Sequence, residues 1–73
     1  MSKNIYEIIA KIADVDFDDV KDEAILSDDL GMDSLMIIDL SLEIEKIIGE
    51  RVTPEDITQF NKVEDVVSYM KSH

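Results

Sequence analysis

Apolar residues recur at helical spacing in separate stretches of this chain, and no segment alternates apolar with polar at period two. That combination confines the chain to helices. Ile5, Ile8, Ile9 and Ile12 form one stripe of an amphipathic helix over about residues 3–13. From Ser34 to about Ile48 the pattern returns, with Asp33 or Ser34 as N-cap and Gly49 as the C-terminal stop. Thr53-Pro54-Glu55-Asp56 reads as a fresh helix start, capped by Thr53 with Pro54 in first position and ending near Gln59. Asn61-Lys62-Val63-Glu64 reads as a capping box with an Asn cap, opening a helix whose stripe is Val63, Val66, Val67 and Met70. The expected fold is all-α, a single domain over residues 1–73: a small bundle of three longer helices plus one short helix, with a long loop between the first two.

That loop, residues 14–33, loses the periodicity and holds nine of the chain's eighteen acids against one base, Lys21. A structureless connection of this length is unusual in so small a domain and points to a role. Phe17, Val20, Leu26 and Leu30 are expected to anchor it to the core. The net charge of −11 excludes nucleic acid and anionic membrane as partners, whose phosphates would repel it. It favours proteins with basic docking patches, approached under electrostatic steering. Zero cysteines exclude disulfides, thiolate metal sites and a cysteine nucleophile. No apolar run reaches membrane-spanning length and the first residues lack a signal-peptide core, so a cytoplasmic monomer is expected.

Gly31-Met32-Asp33-Ser34-Leu35 places one hydroxyl, Ser34, at a helix N-terminus just after a tight turn. Gly31 lets the backbone turn and leaves the surroundings open, and a helix N-terminus suits a phosphodiester. A plain capping serine is the bland reading of such a residue. A hydrolytic nucleophile is a poor one, because the spacing is not that of a nucleophile elbow and the only histidine is His73, at the chain's end. Asp14, Asp16 and Asp18 imitate the first ligands of an EF-hand, but Asp19 stands where the turn needs Gly and Ile25 where a bidentate Glu belongs, so no metal site is expected. On a helical wheel from Ser34, Ile37, Leu40, Ile44, Ile47 and Ile48 form a core face. Leu35, Ile38 and Leu42 fall on roughly the opposite side among Asp39 and Glu43. This second stripe reads as a partner-docking strip, apolar for affinity and acidic for register.

The segment Asp28-Asp29-Leu30-Gly31-Met32-Asp33-Ser34-Leu35 resembles the prosthetic-group attachment motif of acyl carrier proteins. Without gaps the resemblance runs from about Val20 to Tyr69 and takes in Leu26, Leu30, Val52 and Val63. It implies that Ser34 carries a covalent 4′-phosphopantetheine arm, with Asp33 and Gly31 shaping the site, and that the chain catalyses nothing itself. A phosphopantetheinyl transferase would install the arm from coenzyme A. The arm would hold acyl intermediates as thioesters and present them to acyl-transferring and acyl-modifying enzymes of fatty-acid or polyketide synthesis. The resemblance also makes the Ser34 helix the main recognition surface and puts an acyl pocket at Ile37, Ile44, Ile57, Phe60 and Val66. The chain departs from the fatty-acid pattern at Met36 and Lys46, where acids are common. The alternative from a different class is an acidic protein-interaction module without a prosthetic group.

Overall fold

The computed structural model describes residues 4–72. The expected helix start at residue 3 and the chain-terminal His73 lie outside them. The order is α1 (Ile5–Ala13), a single 3₁₀ turn (Phe17–Asp19), α2 (Ser34–Ile48), α3 (Pro54–Ile57) and α4 (Val63–Lys71). The architecture is therefore the small bundle of three longer helices and one short one, with the long connection between α1 and α2. No strand forms among the described residues; Ile25 and Lys62 make one isolated antiparallel bridge.

Local chemistry explains the boundaries. Asn4 caps α1 by accepting a hydrogen bond from the Tyr6 amide at 2.8 Å. Asp14 ends α1 in the left-handed region at φ 58°, so the first of the EF-hand-like acids acts as a helix C-cap. Gly49 ends α2 at φ 73°. Thr53 and Asp56 exchange bonds of 3.2 Å in a reciprocal box at the start of α3. Pro54 takes the first position, and the helix stops at Ile57 rather than near Gln59.

At α4 the sequence reading needs correction. The cap residue is Lys62, not Asn61. A lysine ammonium accepts no hydrogen bond, so only the returning half of the box exists: the Asp65 carboxylate accepts from the Lys62 amide at 2.8 Å and the Asn61 amide at 3.2 Å. The Asn61 carbonyl is engaged instead by the Leu26 amide, which displaces the cap by one residue.

Six side chains are fully enclosed: Ile9, Leu26, Leu40, Ile44, Val63 and Val66. Leu26 comes from the acidic loop, which is thus part of the core. Val20, Ala24, Leu30 and Met32 are buried with it. Phe17, expected as an anchor, is 51% exposed. It sits in the 3₁₀ turn between Asp16 and the pair Asp18–Asp19, whose carboxylates need water and hold that turn at the surface. Ile47, expected on the core face of α2, is exposed as well, one helical turn beyond the enclosed Ile44. Along α4, Val63 and Val66 are buried, and Val67 and Met70 pack against the cluster only in part.

Side chains also bind the loop and α3 to the frame. The Tyr6 hydroxyl donates to Asp22 at 2.6 Å, a bond that raises the phenol's pKa because it favours the protonated form. The Tyr69 hydroxyl, raised by desolvation and then by its bond to Asp56, joins α4 to α3 at 3.0 Å. Glu45 of α2 accepts from the Val52 amide at 2.9 Å and fixes the connection that follows.

An ordered loop has a measurable consequence. Leu26→Ala is expected to cost about 2–5 kcal/mol, the range for an enclosed leucine, and so as much as Leu40→Ala in α2. Denaturant unfolding of both variants checks this; a cost under about 1 kcal/mol for Leu26→Ala would mean the loop is only draped on the bundle.

Candidate functional site

The loop reaches α2 through a series of backbone bonds. The Val63 amide donates to the Ala24 carbonyl at 3.0 Å, the Leu26 amide to Asn61 at 2.9 Å, and the Glu64 amide to Asp22 at 3.0 Å. These bonds clasp residues 22–26 to the start of α4. From Ile25 the chain turns tightly. Its carbonyl accepts from the Asp29 and Leu30 amides at 2.8 and 3.2 Å, while its own amide donates to the Asp29 carboxylate at 2.7 Å. The Met32 amide donates back to Leu26 at 3.0 Å, which closes the turn and buries Met32.

Between those anchors Gly31 adopts φ +67°, and a Cβ added there would meet nothing within 4 Å. The glycine is therefore required by backbone handedness, not by crowding, and the space above it is open. Asp33 is the N-cap of α2, which decides between the two expected candidates: its carboxylate accepts from the Met36 amide at 2.9 Å. Ser34 is then the first helical residue. It is exposed, and its hydroxyl has no hydrogen-bond partner among the described residues.

This arrangement leaves a free hydroxyl at the positive end of a fifteen-residue helix. The Asp33 carboxylate takes one first-turn amide and leaves those of Ser34 and Leu35 for a group placed on Ser34. The neighbouring Asp33 carboxylate is engaged at the helix cap, and no histidine lies among the described residues. The donor set fits a phosphodiester and does not fit a nucleophile acting alone.

Leu35 is 73% exposed, and Ile38 and Leu42 are about half exposed. They run from Ser34 along one side of α2, with Asp39 exposed beside them and Glu43 partly covered. The five residues of the expected acyl pocket gather in one cluster that spans α2, α3 and α4. Ile44 and Val66 are enclosed, Phe60 is buried edge-on against Tyr69 with ring centroids 5.3 Å apart, and Ile37 and Ile57 are partly covered. A surface groove lies between α1 and α2, over Ile8, Ile12 and Leu42.

Two contributors escaped the sequence reading. Asp29 shapes the turn through a bond to a residue four positions earlier, and Met32 plugs it from within. The only signal was an Asp and an apolar residue flanking the glycine.

The chain matches the family model for the phosphopantetheine attachment site over residues 3–70. It is similar to the acyl carrier protein of Rickettsia bellii, 33% identical over 73 residues, covering all of this chain and 85% of the relative. It is 39% identical to the acyl carrier protein of Thermotoga maritima over 67 residues, 92% of this chain and 83% of the relative. It is 37% identical to that of Clostridium perfringens over 73 residues, 100% and 96% of the two chains.

The cap gives a direct test of the local geometry. Asp33→Ala is expected to lower stability by about 1 kcal/mol, or roughly 4–8 °C in melting temperature for a domain of this size. Asp33→Asn keeps the acceptor and should fall by less. Thermal unfolding followed by circular dichroism checks both; equal losses would mean that charge, not the cap bond, is what Asp33 contributes.

Proposed function

The chain belongs to the acyl carrier protein family, whose matching model is the phosphopantetheine attachment site, and on that premise we propose that Ser34 is the residue that carries the arm. Acyl carrier proteins are carriers rather than catalysts, and they work with a phosphopantetheinyl transferase and with biosynthetic enzymes. The observation that carries the Ser34 assignment is its free, exposed hydroxyl at the first position of α2, with the cap supplied by Asp33 instead.

In transfer from coenzyme A, the Ser34 oxygen attacks the pantetheine-bearing phosphorus and loses its proton to a base on the transferase; the pyrophosphate P–O bond breaks, and adenosine 3′,5′-bisphosphate leaves. Gly31 and Asp33 hold the serine in place. The first-turn amides of α2 then face the phosphodiester, an attraction of about 0.3–1 kcal/mol. When bound, the arm supplies the thiol that this cysteine-free chain lacks, and acyl groups travel on it as thioesters. The same reading makes the chain a monomer, because a net charge of −11 opposes self-association.

Leu35, Ile38 and Leu42, with Asp39 and Glu43, are the proposed docking strip. An exposed apolar line that begins beside the attachment serine suits partner enzymes with basic patches. The seam at Ile37, Ile44, Ile57, Phe60 and Val66 is the proposed shelter for an acyl chain, which gains about 0.8 kcal/mol for each methylene buried. Because Ile44 and Val66 are enclosed, the seam must open to admit it, from the partly covered side of Ile37 and Ile57.

Incubation with coenzyme A and a promiscuous phosphopantetheinyl transferase should add a single phosphopantetheine, and Ser34→Ala should abolish the addition. Intact-protein mass spectrometry reads both. A wild-type chain that is never modified would instead support an interaction module without a prosthetic group. Modification of the Ser34→Ala variant would place the arm elsewhere. Octanoyl loading should raise the melting temperature and shift the Ile37 and Ile57 methyl resonances. Shifts confined to the neighbourhood of Ser34, with no change in melting temperature, would leave the cargo in solvent.

A further inference from the structure

The ion pair between Lys46 and Glu43, 3.1 Å long, is the one salt bridge among the described residues. Both residues lie in the second half of α2, and both face the groove between α1 and α2 that Leu42 and Asp39 also line. Lys11 of α1 lines the same groove. At the Ser34 end of the helix the charge is different in kind. Asp28, Asp29 and Asp33 are exposed there and make no ion pair among the described residues. Asp39, one and a half turns into the helix, is exposed and carries no ion pair.

The docking face is therefore graded rather than uniformly acidic. We propose that Lys46 masks Glu43, so that partners are steered by Asp39 at the Ser34 end, and that the partner favoured by this face carries its basic residues there and none opposite Glu43. The inference rests on the reading of Ser34 as the attachment site. Its physical content is ordinary electrostatics. A basic side chain that approached Glu43 would have to compete with an ammonium already bonded to it and would meet repulsion from that ammonium. The lysine side chain is 73% exposed, so it does not hold up the core. Its bland role is to complement the negative end of the helix dipole, and that role would show in stability rather than in partner affinity.

Transfer of phosphopantetheine from coenzyme A by a phosphopantetheinyl transferase provides the assay, with KM and kcat measured separately for the carrier at low and at near-physiological ionic strength. The variants are Lys46→Gln, Glu43→Gln, the two together, and Asp39→Asn. Lys46 stands twelve residues from Ser34, about 18 Å along the helix axis at 1.5 Å per residue. Its replacement should therefore act on KM and leave kcat alone. Lys46→Gln is expected to lower KM about twofold to fivefold at low salt, the factor that one exposed ion pair is worth, and less at higher salt. In the Glu43→Gln background the same substitution should do much less. Asp39→Asn should raise KM, and Glu43→Gln alone should raise it by less. Circular dichroism confirms that each variant is folded. An unchanged KM in Lys46→Gln overturns the proposal, as does a loss in Glu43→Gln as large as that in Asp39→Asn. Absence of transfer to the wild-type chain would sink the attachment reading and this inference with it, whereas transfer with a KM indifferent to Lys46 sinks the inference alone.

Discussion

The clasp between residues 22–26 and the start of α4 is the constraint on which the candidate site depends. A loop with nine acids has no reason to collapse on its own. It is held because the amides of Val63 and Glu64, which a helix N-terminus leaves without intrahelical partners, find the carbonyls of Ala24 and Asp22. The Leu26 amide answers through Asn61, and its side chain is enclosed by the core. With Leu26 fixed, the Met32 amide has a fixed acceptor, the Ile25–Leu30 turn closes, and Gly31 can hand the chain to Asp33 at one angle. Ser34 follows a segment anchored at the start of α4.

The same arrangement separates two tasks that compete in a small protein. Apolar residues of the loop face inward and add to a core that a chain of 73 residues fills with difficulty. Its acids are exposed, where they cost stability through mutual repulsion and supply the field that a basic partner senses. Phe17 shows the limit of this division. It is apolar, yet the carboxylates on either side hold it in water. The second stripe of α2 follows a like rule, since Leu35 is largely exposed and Ile38 and Leu42 are about half exposed.

Helix number, order and most boundaries were legible in the sequence, because capping chemistry and period are local properties. Asp33, Gly49 and the Thr53–Asp56 box are set by residues within four positions of one another, whereas the Asn4 cap of α1 was not read from the sequence. The exposed strip was legible for the same reason, as a wheel needs no partner to be drawn. What escaped were outcomes of contacts distant in sequence. The cap of α4 moved to Lys62 because the Asn61 carbonyl is engaged by Leu26, thirty-five residues earlier. Ile47 lies outside the core because no element covers the end of its face, which the pattern within α2 does not reveal. The attachment role proposed for Ser34 rests on the motif resemblance together with the geometry, since a capping serine and an attachment serine share the same local pattern. Here Asp33 holds the cap, and the serine is left free.

The claim at the centre of this account is that the segment presenting Ser34 is formed before any partner arrives. Amide hydrogen exchange in the unmodified chain, read residue by residue by NMR, tests it most directly. The amides of Leu26, Met32 and Val63 should exchange as slowly as those of Leu40 and Ile44 in the core of α2, while those of Ser34 and Leu35 should exchange fast. Exchange at Leu26, Met32 and Val63 as rapid as in a free peptide would contradict it, and would mean that the proposed attachment segment takes shape only on a partner.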